Sequence, residues 1–195
     1  MDRGQVHTLE AIVAALLMVT SILFALQITA VTPLSASTSS QHIENQQQAS
    51  VEGVLAAAAD EGELRSAVLF WNDSSGRFFN TTEEDYYTSQ RPQNAFGKRL
   101  ERAFGDRGIG YNVYVIHYSS GGGRRVTRMV YQGEPSDNAV RSGRTITLAD
   151  DTTLYDHESK LTATRVNAST FYAADAAANN SAYNTMRVEV VVWRI

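Results

Sequence analysis

Apolar and polar positions fall into two textures along the chain, and the first is a long helical one. From Ala11 to Leu26 the run AIVAALLMVTSILFAL carries no charge, and past Gln27 it continues as Ile28-Thr29-Ala30-Val31 before Pro33. A helix rises ~1.5 Å per residue and a bilayer core takes roughly 20 residues, so residues 11–31 are long enough to span one. Pro33 lacks a backbone donor and crowds the preceding turn, which predicts a kink and a loop or softened helix over Leu34–Ser40. From Gln41 to Ala59 the chain is again a good helix former. Ile43, Val51, Val54, Leu55 and Ala58, mostly three, four or seven residues apart, share one face. Val6 to about Ala59 therefore reads as one long helix, interrupted by Asp60-Glu61-Gly62-Glu63. Leu64 to Trp71 adds up to two turns, with Val68, Leu69 and Trp71 as core candidates.

Beyond Asn72 the texture changes. Asn72 to Pro92 is polar and loop-like, anchored by Phe78, Phe79, Tyr86 and Tyr87, and Asn94 to Phe104 reads as a short amphipathic helix ended by Gly105-Asp-Arg-Gly108. Tyr111–Tyr118 and Arg124–Tyr131 are strand-like runs joined by Ser119-Ser-Gly-Gly-Gly123, a connection suited to a hairpin. Arg144–Leu148 and, more weakly, Leu161–Val166 are further strands, and Ala173–Ala178 hints at a helical turn. Met186–Ile195 is a strand buried around Val190–Val192. A long N-terminal helix followed by a small antiparallel sheet is an α+β arrangement.

Composition narrows the classes. Of 195 residues 43% are apolar, enough for one modest domain beyond the apolar helix. The absence of cysteine excludes disulfides, thiolate metal sites and cysteine nucleophiles. The bases are fifteen arginines against two lysines, Lys98 and Lys160, a bias compatible with a GC-rich halophile. A net charge of −4 and no basic stripe with interleaved aromatics predict no nucleic-acid partner.

Candidate chemistry is sparse. His7, His42, His117 and His157 form no HxH or HExxH pair, and His117 sits in a strand as a sheet-face residue. Asp150-Asp151 with Asp156-His157-Glu158 is the one concentration of hard ligands, but it lacks the EF-hand spacing and reads as a solvated loop. Gly105-x-x-Gly108-x-Gly110 follows a helix and precedes a strand, the reverse of a dinucleotide loop, and no serine has a Gly-x-Ser-x-Gly frame. The expectation is a non-enzyme with no cofactor and no metal. Four sequons, at Asn72, Asn80, Asn167 and Asn179, are candidate N-glycosylation sites, all past the apolar segment.

What remains to be explained is Glu10, one carboxylate at the mouth of an uncharged run. A charge at the bilayer centre costs about 3 kcal/mol, so an acid here asks for a compensating partner. Arg3, partly offset by Asp2, gives a weak positive-inside signal that puts Met1 inside and everything after Leu34 outside.

Arg3-Gly4-Gln5, Glu10 and the unbroken apolar helix resemble the class III signal peptide of archaeal type IV pilins and related archaellin-like subunits. The stretch from Arg3 to Gln48 particularly resembles the pilin-like surface proteins of halophilic archaea. In that family a membrane-bound prepilin peptidase cuts after the glycine, and the retained apolar segment becomes the filament core. The resemblance implies cleavage between Gly4 and Gln5, with Gln5 as the mature end. It makes Glu10 the assembly charge, pairing with the freed amine of a neighbouring subunit. In the family the glutamate is commonly fifth in the mature chain, whereas a cut after Gly4 makes Glu10 the sixth.

On this reading residues 1–4 are leader, 5–34 transmembrane helix, 35–62 helical stem and 63–195 an extracellular β-rich head. The chain would be a single-pass cell-surface subunit, accessory rather than main, whose partners are the membrane, the peptidase and other pilin subunits in a homo- or hetero-oligomeric filament, with adhesion as a role. Two other readings stand beside it. One is a monomeric membrane-anchored extracytoplasmic binding module. The other is a secreted protein whose first thirty-odd residues are a discarded export signal, cut near Ile28-Thr29-Ala30 or Ser35-Ala36-Ser37.

Overall fold

The computed structural model describes residues 3–81 and 84–195, which divide into two compact units, Met1–Ile43 and Glu44–Ile195. Helix α1 (Arg3–Asp60) supplies all the described secondary structure of the first unit and the opening segment of the second. Its helical assignment runs unbroken through Pro33 and the Leu34–Ser40 stretch, where the sequence suggests a loop or softened helix. Gly62, at φ 73°, terminates the run by adopting the left-handed conformation that glycine takes most easily, and its N–H donates to the Ala59 carbonyl.

In the second unit, short helix α2 (Glu63–Val68) leads to a two-stranded ribbon of β1 (Trp71–Asn72) and β2 (Arg77–Phe78). Helix α3 (Ala95–Phe104) starts where the Asn94 side chain accepts the Gly97 N–H at 2.9 Å. Arg99 ties it to α2, donating to Glu63 and, at 2.7 Å, to Glu61. A 3₁₀ turn (Gly105–Arg107) then delivers β3 (Ile109–Tyr118), which pairs with β4 (Arg124–Tyr131) across the glycine-rich turn, Gly122 taking φ 76°.

β5 (Val140–Ala149) and β8 (Ala182–Arg194) complete a four-stranded antiparallel sheet in the order β4-β3-β8-β5. β6 (Thr153–Tyr155) and β7 (Leu161–Arg165) form a separate ribbon. The fold is α+β with a long apolar N-terminal helix and small antiparallel sheets, as the sequence pattern predicts.

Alternation along the strands gives the sheet one dry face. Val113, Val115, Val188, Val190 and Val192 are fully buried, in one core with Val51, Leu55 and Ala58 of α1, Leu64 and Val68 of α2, and Phe96 and Leu100 of α3. An aromatic group extends this core: Trp71 meets Phe78 edge-on at 5.2 Å and Tyr172 at 4.9 Å.

The hinted helical turn at Ala173–Ala178 is not formed. That segment is irregular and its carbonyls are taken from outside it, by the Tyr183 hydroxyl at Ala173 (2.6 Å) and the Asn184 amide at Ala174 (2.8 Å). With its backbone acceptors satisfied by β8 side chains, the segment has less to gain from a helical turn.

Candidate functional site

The residues that carry the expected chemistry lie at the start of α1. From His7 to Gln27 the helix is long and apolar enough to cross a membrane, and every one of these side chains is exposed. Leu16, Leu17 and Phe24 of this segment are each about two-thirds exposed (65%, 65% and 66%). An uncovered apolar surface of this extent marks a membrane or protein contact. The two hydroxyls in the run are satisfied locally, Thr20 donating to the Leu16 carbonyl at 2.7 Å and Ser21 to that of Leu17 at 2.8 Å. Internal satisfaction of polar groups is what a lipid environment demands. A membrane span and an export signal share these properties.

Glu10 stands one turn beyond His7, whose Nδ1 is 3.7 Å from its Oε2, and both side chains are more than three-quarters exposed. At that distance and exposure the contact is a weak one, and among the described residues Glu10 has no closer counter-charge. Gly4 and Gln5 lie in the first turn and a half of α1, while Met1 and Asp2 of the expected leader lie outside the described residues.

All four sequons lie in the second unit, in different environments. Asn72 is half-buried in the β1–β2 turn, its Oδ1 accepting the N–H groups of Ser74 (3.0 Å) and Ser75 (3.3 Å). Asn80 is exposed at φ 62°, with Thr82 of its sequon outside the described residues. Asn167 is exposed, and its Oδ1 accepts from Ser169 (2.8 Å) and Thr170 (3.2 Å). Asn179 is exposed on the loop before β8.

Among the described residues, the titratable groups of the head with displaced pKa values are spread over separate elements. His117 is buried, with Nε2 3.1 Å from the Thr127 hydroxyl and its ring edge-on to Tyr172. Burial holds its pKa below the usual imidazole value, and the nearby Arg125 charge acts in the same direction. Burial likewise pushes the Tyr111 and Tyr183 hydroxyls up to about 12. Asp156 caps the β6–β7 turn, accepting the Lys160 and Glu158 N–H groups, and the first of these bonds is the main cause of its lowered pKa. Among the described residues no three His, Asp or Glu side chains are grouped to hold a metal ion.

Sequence reasoning missed one surface. The face of the sheet opposite the core carries a groove of about 420 Å³. The alternation Arg124, Val126, Arg128 opposite Tyr114, Ile116 and Tyr118 was its only trace in the sequence.

A family model described as a family of unknown function (DUF7288) matches residues 3–192. No curated protein and no solved structure matches the chain.

Proposed function

The chain belongs to this family of unknown function, and from that premise we propose that it is a pilin-like structural subunit of an archaeal surface filament, an accessory subunit rather than the main one, and not an enzyme. The observation that carries the reading is the contrast within α1. Residues 11–26 carry no charge and are mostly apolar yet exposed, whereas Val51, Leu55 and Ala58 of the same helix are fully buried in the head unit. A helix whose second part folds a domain, and whose first part offers only apolar surface, is built to be retained and covered from outside, by lipid before assembly and by neighbouring helices after it. On this reading a prepilin peptidase cuts between Gly4 and Gln5. Glu10, whose contact with His7 is weak and exposed, then meets the freed amine of a neighbouring subunit. Leu16, Leu17, Ile22, Leu23 and Phe24 become packing surface, and the head stands outside the cell.

The test is the N-terminal sequence of the protein recovered from membrane and sheared-surface fractions of its native cell. A chain starting at Gln5 in both fractions is the expected result. An intact Met1 confined to the membrane would replace the subunit with a monomeric anchored module. A start beyond Ala30 would make the apolar helix a discarded export signal.

A further inference from the structure

The outer face of the β4-β3-β8-β5 sheet differs from the rest of the molecule in charge and in unspent hydrogen-bonding capacity. Strand register places three rows across it: Tyr131, Asn112, Val191 and Arg141; then Arg128, Tyr114, Glu189 and Gly143; then Val126, Ile116, Arg187 and Thr145. The groove runs over these rows, floored by Ile116, Val126 and Val191, and Val126 is 61% exposed. Its volume of about 420 Å³ is in the range of small-ligand sites. The groove is lined by two arginines, Arg128 and Arg141, and two glutamates, Glu134 and Glu189, with Arg124 and Arg187 on the same sheet face beyond it.

The polar groups in the groove are held in place but not used up. The Arg128 guanidinium lies 4.7 Å from the Tyr131 ring centre and 5.7 Å from that of Tyr86, which holds it in place, and it makes no ion pair or hydrogen bond among the described residues. Arg141 makes no ion pair or hydrogen bond among the described residues. The Tyr114 hydroxyl accepts from the Asn112 amide at 3.1 Å and keeps its own proton to give. Glu134 uses Oε2 on the Tyr131 hydroxyl (2.9 Å), and Glu189 has Oε2 3.7 Å from Arg187, so each retains an oxygen.

Asn112 also pins the loop that walls the groove, donating to the Gly133 carbonyl at 2.9 Å and accepting the Gln132 N–H at 2.8 Å. Gly143 leaves room for the Arg187 guanidinium to lie across β5, where an added Cβ would come within 2.7 Å of it.

We propose that this groove binds an acidic oligosaccharide, a short run of uronate sugars. Free guanidinium forks select a carboxylate. A simple anion would be repelled by Glu134 and Glu189, and those two become favourable only if the same ligand brings hydroxyl donors. Tyr114 and the Val126–Ile116 floor ask for an apolar ring face, which the C–H side of a pyranose provides. In the central row, cation, ring and acceptor stand on three adjacent strands, whose backbones lie ~4.8 Å apart, so an extended ligand crossing the strands would meet them in turn. The groove lies wholly within residues 44–195, so the site stands whether or not the chain enters a filament.

The experiment uses the full chain in phosphatidylcholine nanodiscs, which avoids sugar-headed detergents, and reads saturation-transfer NMR and titration calorimetry. The probes are trigalacturonate and trimannuronate, with galactotriose, hexaglutamate and sodium acetate for comparison. At least one uronate trimer should bind, more weakly as salt rises. Arg141→Ala and Tyr114→Ala should each weaken binding about tenfold, the scale of one charge-assisted contact, and Arg141→Lys should recover part of the loss. Both side chains are outside the core, and an unchanged far-ultraviolet circular dichroism spectrum and Tm will confirm that the variants fold. Failure of both uronate trimers to bind would overturn the proposal. So would galactotriose or acetate binding as tightly, or variants that bind like the parent. Hexaglutamate binding as tightly as the better uronate would convert the groove into an acidic-peptide site.

Discussion

Leu55→Ala tests whether α1 is two things in one helix. Leu55 is fully buried among head residues, so truncation removes about three methylene equivalents from water-free surroundings, roughly 2.4 kcal/mol at ~0.8 kcal/mol each. The cavity left in a close-packed site adds to this, which brings the expected cost to about 3 kcal/mol, inside the roughly 2–5 kcal/mol span of such substitutions. For a folding unit of this size that corresponds to a fall in Tm of roughly 6–12 °C.

Trp71 and Trp193, the only two tryptophans, both lie in the head and are buried, so their fluorescence during denaturant unfolding of the full chain in micelles reports head stability alone. Leu16→Ala is the internal control: the same chemistry, in the same helix, at a position 65% exposed, with an expected change below ~0.5 kcal/mol. A Leu55→Ala cost below about 1 kcal/mol, or equal costs at the two sites, would refute the division of α1 into an outward-facing segment and a core segment.

Gly97→Ala should destabilise the head by several kcal/mol or prevent its folding, because a Cβ there would stand 1.9 Å from the Pro92 carbonyl oxygen; soluble yield and Tm check it. His117 is depressed in the folded state while the unfolded chain protonates near 6.5, so the unfolded state binds more protons as pH falls. Head stability should therefore hold above pH ~6.5 and decline below it by at most ~1.4 kcal/mol per pH unit, a slope that His117→Gln should flatten in denaturant titrations between pH 7.5 and 5. Glu10→Gln should leave membrane insertion intact and lower the share of subunit in sheared filaments severalfold; unchanged incorporation would remove Glu10 from the assembly step.

Much of the fold was legible because it rests on local pattern. The 3.6-residue period and lack of charge set α1 within three residues of its observed ends, and the Ser-Ser-Gly-Gly-Gly turn fixed the β3–β4 hairpin. The amphipathic pattern over Asn94–Phe104 marked α3, which runs from Ala95 to Phe104. What was not legible depends on distant partners. β1, β2 and β6 have only two or three residues per strand and owe their shape to packing around Trp71, Phe78 and Leu154, whereas β7 was read, weakly, as Leu161–Val166. β5 was seen only over Arg144–Leu148, since the Val140-Arg-Ser-Gly143 stretch has weak strand character of its own and is held by β8. The N-terminal residues were conspicuous because charge and hydropathy are written in sequence order. The sheet groove was hidden because it draws on four strands and a loop.

Sheet order also governs how the head is made. β3 and β5 have no shared edge; each hydrogen-bonds to β8, which begins more than thirty residues after β5 ends. Until residues 182–194 arrive, the β3–β4 hairpin and β5 are separate pieces with open edges, and the valines of the dry face have no middle row to close against. Formation of the sheet therefore waits on β8, and a chain ending before residue 182 lacks the strand that joins β3 to β5. Completeness of synthesis becomes a condition for folding, a form of proofreading inherent in the topology.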